Sequence, residues 1–186
     1  HGEAYTMTNH LTVWDGDTAV YRPTSHYAYC PSDAAIMSVH ELLMRNYEMQ
    51  PEQRILNDEI VQGQDQLGVL LMGHDYKSWW TGSLLDIHEA RSLVPNQSAT
   101  TLQVASSVMS AVKWMIAEPE AGVVVPDDMP WKFVLDSAKP YLGTFFSQAV
   151  DWDPLRSRRD VFDRWSDSAA TLDPSDPWQF GNFLCH

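Results

Sequence analysis

The sequence predicts an α+β fold, a mixed sheet with helices packed on it, from three observations. An Asp-Gly turn sits between β-prone runs near the start. A long helix with apolar residues at 3/4 spacing occupies residues 98–118. Two apolar strand-like runs, 67–72 and 144–150, are separated by helices without a regular βαβ alternation.

Residues 3–29 read as β structure, with 10–14 and 19–22 flanking Asp15-Gly16-Asp17, a strong hairpin signal, and 27–29 as a further strand. Ser32-Asp33 then caps a helix whose Ile36, Val39, Leu42, Leu43 and Tyr47 share one face, and Pro51 marks its end. The run 67–72 lacks polar alternation, as a strand buried on both faces would. Gly73-His74 ends it, and the pair Trp79-Trp80 follows, closed by Gly82. Asp86 is placed as the N-cap of the next helix, with Glu89 at capping-box spacing.

Asn96-Gln97-Ser98 opens the long helix, whose predicted core stripe is Leu102, Ala105, Val108, Met109, Val112, Met115 and Ile116, stopped by Pro119. A short strand is expected at 122–125. A helix follows from Pro126-Asp127-Asp128 to about Ala138, and a last strand lies at 144–150. From Asp151 the chain is rich in Asp, Arg, Ser and Pro, with Trp152, Trp165 and Trp178 spaced along it. The expected division is 1–150 as one domain and 151–186 as a tail wrapping over a surface. The chain opens at His1 directly into a patterned segment, as a portion cut from a longer protein would.

Composition excludes several classes. With 44% apolar residues and eight tryptophans, the chain has ample material for a core. No apolar run approaches the roughly 20 residues of a membrane span, and there is no signal-peptide pattern, so no membrane role is expected. Cys30 and Cys185 form no metal-ligand spacing and read as free thiols of a cytoplasmic protein. Twelve basic against 25 acidic side chains give a net charge of −13, which repels nucleic acid and attracts cations. Acidity alone also serves solubility and does not single out a ligand.

Chemical motifs are sparse. Gly63, Gly68, Gly73 and Gly82 form neither GxGxxG nor a Walker loop, so no nucleotide site is expected from this chain alone. None of the seven histidines falls in HxH, HExxH or a Cys/His cluster, and no metal is expected. His74 stands out only by following Gly73 at a strand end. Gly82-Ser83 lacks the context of a nucleophile elbow. The acids Glu3, Glu59 and Asp65 are the better candidates, because a diamine's ammonium groups require carboxylates. Trp79 and Trp80 read as core or interface anchors.

The order of these segments resembles the bacterial homospermidine synthases, which are saccharopine-dehydrogenase-like enzymes. The residues that carry the likeness begin with His1-Gly2-Glu3-Ala4-Tyr5, Val20-Tyr21-Arg22-Pro23-Thr24, His26-Tyr27-Ala28-Tyr29 and Asp58-Glu59-Ile60. They continue through residues 65–74, Trp80-Thr81-Gly82-Ser83, Ser98-Ala99-Thr100 and Leu102-Gln103-Val104. Pro140-Tyr141-Leu142-Gly143, Asp151-Trp152 and Asp176-Pro177-Trp178-Gln179-Phe180 complete the order.

The resemblance implies an NAD-dependent transferase of polyamine biosynthesis. Putrescine is oxidised to an imine, its aminobutyl group passes to a second putrescine, and reduction gives homospermidine. It implies that 1–150 is a substrate-binding and dimerisation domain of a homodimer, and that 151–186 packs on an NAD domain lying before His1. It assigns His1 to proton transfer or ligand hydrogen bonding and Glu3 to ammonium binding, with Asp65 as a further ammonium partner. Asn96, Ser98 and Thr100 are expected to line the site. By itself the chain should then be inactive and bind NAD negligibly. Two alternatives stand beside this reading. One is a carboxynorspermidine or saccharopine dehydrogenase, whose carboxylate substrates call for more Arg and Lys. The other is a non-catalytic oligomerisation or polyamine-binding module.

Overall fold

The computed structural model describes residues 1–156 and 174–183, and Trp165 and Cys185 lie outside them. The chain divides into two units: residues 1–56 with 124–129, and residues 57–123 with the described residues from 130 onward.

The first unit corrects the reading of its opening segment. Gly2–His10 is a helix (α1), not a strand. Its β-prone threonines are accommodated because their hydroxyls donate back along the helix, Thr6 to the Glu3 carbonyl at 3.2 Å and Thr8 to the Ala4 carbonyl at 2.7 Å. The predicted hairpin follows as β1 (Val13–Asp15) and β2 (Thr18–Tyr21), paired antiparallel around Gly16, whose φ of +57° the turn requires. Residues 27–29 are irregular rather than a strand. Helix α2 (Asp33–Met44) begins where predicted, its Ser32 hydroxyl accepting the Ala35 N–H at 3.3 Å. None of its residues is buried, so its apolar face stays open.

The second unit is built on a three-stranded antiparallel sheet ordered β3 (Gln64–His74), β4 (Lys77–Asp86), β5 (Thr144–Val150). The α+β class is what the structure shows, but all ladders among the described residues are antiparallel where a mixed sheet was expected. β3 is an edge strand rather than one buried on both faces, and Leu67, Val69 and Leu71 are exposed. The Trp79-Trp80 pair lies within β4; the turn falls earlier, at Asp75-Tyr76, where His74 Nδ1 accepts the Tyr76 N–H at 3.1 Å.

Gly68 and Gly82 face each other across the β3–β4 ladder. A Cβ on Gly68 would stand 2.8 Å from the Trp80 ring, which stacks on Phe146 with centroids 6.2 Å apart. The missing side chain of Gly68 makes room for the Trp80 ring, and that of Gly82 for the β3 backbone.

Asp86 caps α3 (Ile87–Leu93) as predicted, accepting the N–H groups of His88 at 2.8 Å and Glu89 at 2.9 Å. Helix α4 (Ala99–Ala117) is capped by Ser98, and packs Leu102 with Leu85, Ala90 and Ala99 into the core. The face it buries differs from the predicted stripe. Gln103, Ser106 and Ser110 are buried, whereas Val108 is 59% and Met115 61% exposed. The hydroxyls tolerate burial because each bonds within its own helix, Ser106 to the Gln103 carbonyl and Ser110 to the Ser106 carbonyl, both at 2.7 Å.

Residues 122–125 form no strand. The helix expected from Pro126 is split at Pro130 into a 3₁₀ turn (Pro126–Asp128) and α5 (Trp131–Ala138). After β5, Ser78 Oγ donates to the carbonyls of Val150 at 2.6 Å and Trp152 at 3.0 Å, and the Trp178 side chain lies against Gly73.

Candidate functional site

The expected site residues fall into two groups, one in each unit. In the first unit, His1 is the N-cap residue of α1 and Glu3 lies in its first turn. An acid there complements the positive end of the helix dipole. His1 Nδ1 and Glu3 Oε2 are 3.5 Å apart, both largely exposed. The His1 ring also meets Tyr27, with centroids 4.3 Å apart and planes inclined by 30°.

Beside this pair lies an open concavity of about 550 Å³, lined by His1, Tyr5, Asn9, Arg22, His26 and Tyr27 among others. Tyr27 and Arg22 belong to the segment that carried the family likeness, yet neither was singled out for a role. Their signal was present, since Arg22 is the only Lys or Arg among residues 1–44.

In the second unit, Asp65 sits on β3 opposite Leu85 of β4. Its Oδ2 accepts the Thr100 hydroxyl at 2.6 Å, joining the edge strand to the first turn of α4. Ser98 is adjacent but committed to capping: its Oγ accepts the Thr101 N–H at 3.2 Å and donates to Thr101 Oγ1 at 2.9 Å. Asn96 turns the chain between α3 and α4 with φ of 65°, a conformation asparagine tolerates. Thus the structure brings Asp65 and Thr100 into contact, while Ser98 and Asn96 serve the turn that presents Thr100.

The remaining candidates have structural work. Glu59 Oε2 accepts the Asn57 N–H at 2.7 Å. Trp79 Nε1 donates to Ser147 Oγ at 2.8 Å, tying β4 to β5. Among the described residues no three His, Cys, Asp or Glu side chains converge as metal ligands. Nor do the described residues fit a dinucleotide fold. All strands pair antiparallel, and none leads through a glycine-rich turn into a helix. Carboxylates beside a hydroxyl, an imidazole and an aromatic ring suit ammonium groups.

No family model matches the chain. The homospermidine synthase of Blastochloris viridis is 43% identical over 99% of this chain. That of Mesorhizobium japonicum is also 43% identical over 99%. The crystal structure of the Legionella pneumophila homospermidine synthase in complex with NAD superposes with a TM-score of 0.86 at 41% identity, covering 98% of this chain. The likeness therefore runs the length of the chain, as its motif order indicated. The chain spans 38% and 37% of the two curated relatives' length, and 38% of the Legionella protein.

Proposed function

We propose that this chain is the substrate-facing portion of a homospermidine synthase that converts two putrescines into homospermidine and ammonia. The observation that carries the reading is 43% identity over 99% of the chain to relatives bearing that name. The reaction is redox-neutral overall: a hydride leaves the first putrescine and returns to the new carbon–nitrogen bond. NAD, held mainly by residues outside this chain, supplies that reversible hydride acceptor when bound.

The residues here bind and orient. Glu3 holds an ammonium group of the diamine, and the neighbouring His1 accepts or returns a proton at the reacting nitrogen. Within the second unit, Asp65 is a separate ammonium partner, its carboxylate oriented by Thr100. Ser98 and Asn96 line the approach to Thr100. The net charge of −13 favours encounter with a polycation. A homodimer in the cytoplasm completes the reading. It is supported by the exposed apolar face of α4 and by the lack, among the described residues, of a helix long and apolar enough to cross a membrane.

The experiment joins this chain to the dinucleotide-binding half of the Blastochloris viridis relative and assays homospermidine formation from putrescine and NAD. Formation of product, with turnover weakened by Glu3→Gln, is expected. An inactive but folded chimaera would sink the proposal, and unchanged kinetics would remove Glu3 from the site. Titration calorimetry of the chain alone should detect no tight NAD binding.

A further inference from the structure

Among the described residues Arg45, Arg91 and Arg156, with Lys132 besides, each face an acid, whereas Lys77, Lys113 and Lys139 do not. Arg45 stands 3.7 Å from Glu41, Arg91 3.7 Å from Asp58, Lys132 2.7 Å from Asp136 and Arg156 3.1 Å from Asp151. Arg22 differs from those arginines, with no carboxylate within ion-pair distance among the described residues. It is exposed and has two contacts of its own. Its Nε donates to Oγ1 of the buried Thr12 at 3.4 Å, and its guanidinium carbon lies 5.4 Å from the centroid of the Trp14 ring.

Those two contacts use one edge and one face of the planar head. The two Nη groups remain as a preorganised fork of donors, a geometry that matches an oxyanion bidentately. Arg22 lines the concavity of the first unit together with Asn9, Thr24, Ser25 and His26, and no acid is among its lining residues. An acid-free concavity around an unpaired arginine runs against the charge of the whole chain, with 25 acids to 12 bases. Hydroxyl and amide donors from Thr24, Ser25 and Asn9 supply the neutral hydrogen bonds that complete such a site.

We propose that this concavity binds an oxyanion, a phosphate or carboxylate group, with Arg22 as the charged donor. The concavity shares its His1 wall with the His1–Glu3 pair, and anion binding at Arg22 is testable whether or not the chain acts on polyamines.

The test titrates the chain with inorganic pyrophosphate and, separately, malonate at constant ionic strength, following by NMR the backbone amide resonances of Asn9, Thr24 and Ser25, which line the concavity and persist in the Arg22 variants. A saturable millimolar shift is expected, with affinity falling about tenfold in Arg22→Gln and less in Arg22→Lys, which keeps the charge but loses the fork. Saturation by pyrophosphate alone assigns the site to phosphate-bearing ligands, and comparable saturation by malonate assigns it to carboxylates. Wild-type resonance positions for α2 (Asp33–Met44), which lines no part of the concavity, verify the fold of each variant. The proposal is overturned if neither anion saturates the wild-type chain, or if folded Arg22→Gln binds as tightly as wild type.

Discussion

Thr100 donates a 2.6 Å hydrogen bond to Asp65, the contact that ties the edge strand β3 to the N-terminal turn of α4. The hydroxyl fixes one carboxylate oxygen and leaves the other able to accept a ligand's ammonium. If Asp65 serves that role, Thr100 acts through it as a positioning residue. Thr100→Val in the chimaeric enzyme should therefore raise the KM for putrescine about fivefold, as expected for losing ~1 kcal/mol of hydrogen bonding to a charged group, and change kcat little. Thr100→Ser should restore the wild-type KM. Equal loss in the Val and Ser variants would assign the effect to packing instead.

Asp86 predicts a pH dependence of stability. The N–H of Glu89, aided by that of His88, holds its carboxyl below the ordinary value of 3.8 against the opposing effect of desolvation. A depressed folded-state pKa contributes stability that is fully present above the unfolded value of about 3.9 and is lost as pH falls through the folded value. Urea midpoints should thus fall on acidification below that value. Asp86→Asn, which keeps an N-cap acceptor without the charge, should flatten this part of the acid limb. An identical acid limb in both proteins would show that Asp86 contributes nothing there.

How far the sequence could be read depended on whether a feature was local. The caps at Ser32, Asp86 and Ser98, the hairpin turn at Gly16 and the strand Thr144–Val150 were all legible, because each is set by a few neighbouring side chains. The Gly2–His10 helix was missed because β propensity was counted without the back-bonding that threonine hydroxyls make in helices. The buried face of α4 was missed for a different reason: apolar periodicity identifies a sticky face without saying what covers it. Of the site, Asp65 and Thr100 were both named, but their contact spans 35 positions and no local pattern reveals it. Arg22 and Tyr27 lay in plain view, and only the fold showed that they share a concavity with His1.

The orientation of α4 is open to a direct contrast. Leu102 is only 6% exposed and belongs to the core, so Leu102→Ala should cost about 2–4 kcal/mol of unfolding free energy. Val108→Ala, on the exposed face, should change stability by no more than about 0.5 kcal/mol in the isolated chain. Chemical denaturation of the two variants measures both. A larger loss at Val108 than at Leu102 would mean that the helix packs by its apolar stripe after all. A loss at Val108 that depends on protein concentration would instead place that stripe in an interface between copies.

The Gly68–Gly82 pair yields the most severe substitution. A Cβ on Gly82 would overlap the Leu67 carbonyl oxygen and stand 2.8 Å from the Gly68 Cα, both backbone atoms of the neighbouring strand. No rotamer change relieves such an overlap, so the β3–β4 ladder must spread where Trp80 stacks on Phe146. Gly82→Ala should destabilise the chain by about 3 kcal/mol or prevent folding, at the upper end of overpacking effects. Gly181→Ala, where a Cβ meets nothing within 4 Å, is the matched control and should behave as wild type. Thermal unfolding of the pair decides the matter: similar midpoints would mean that the two strands do not approach as closely as this ladder requires.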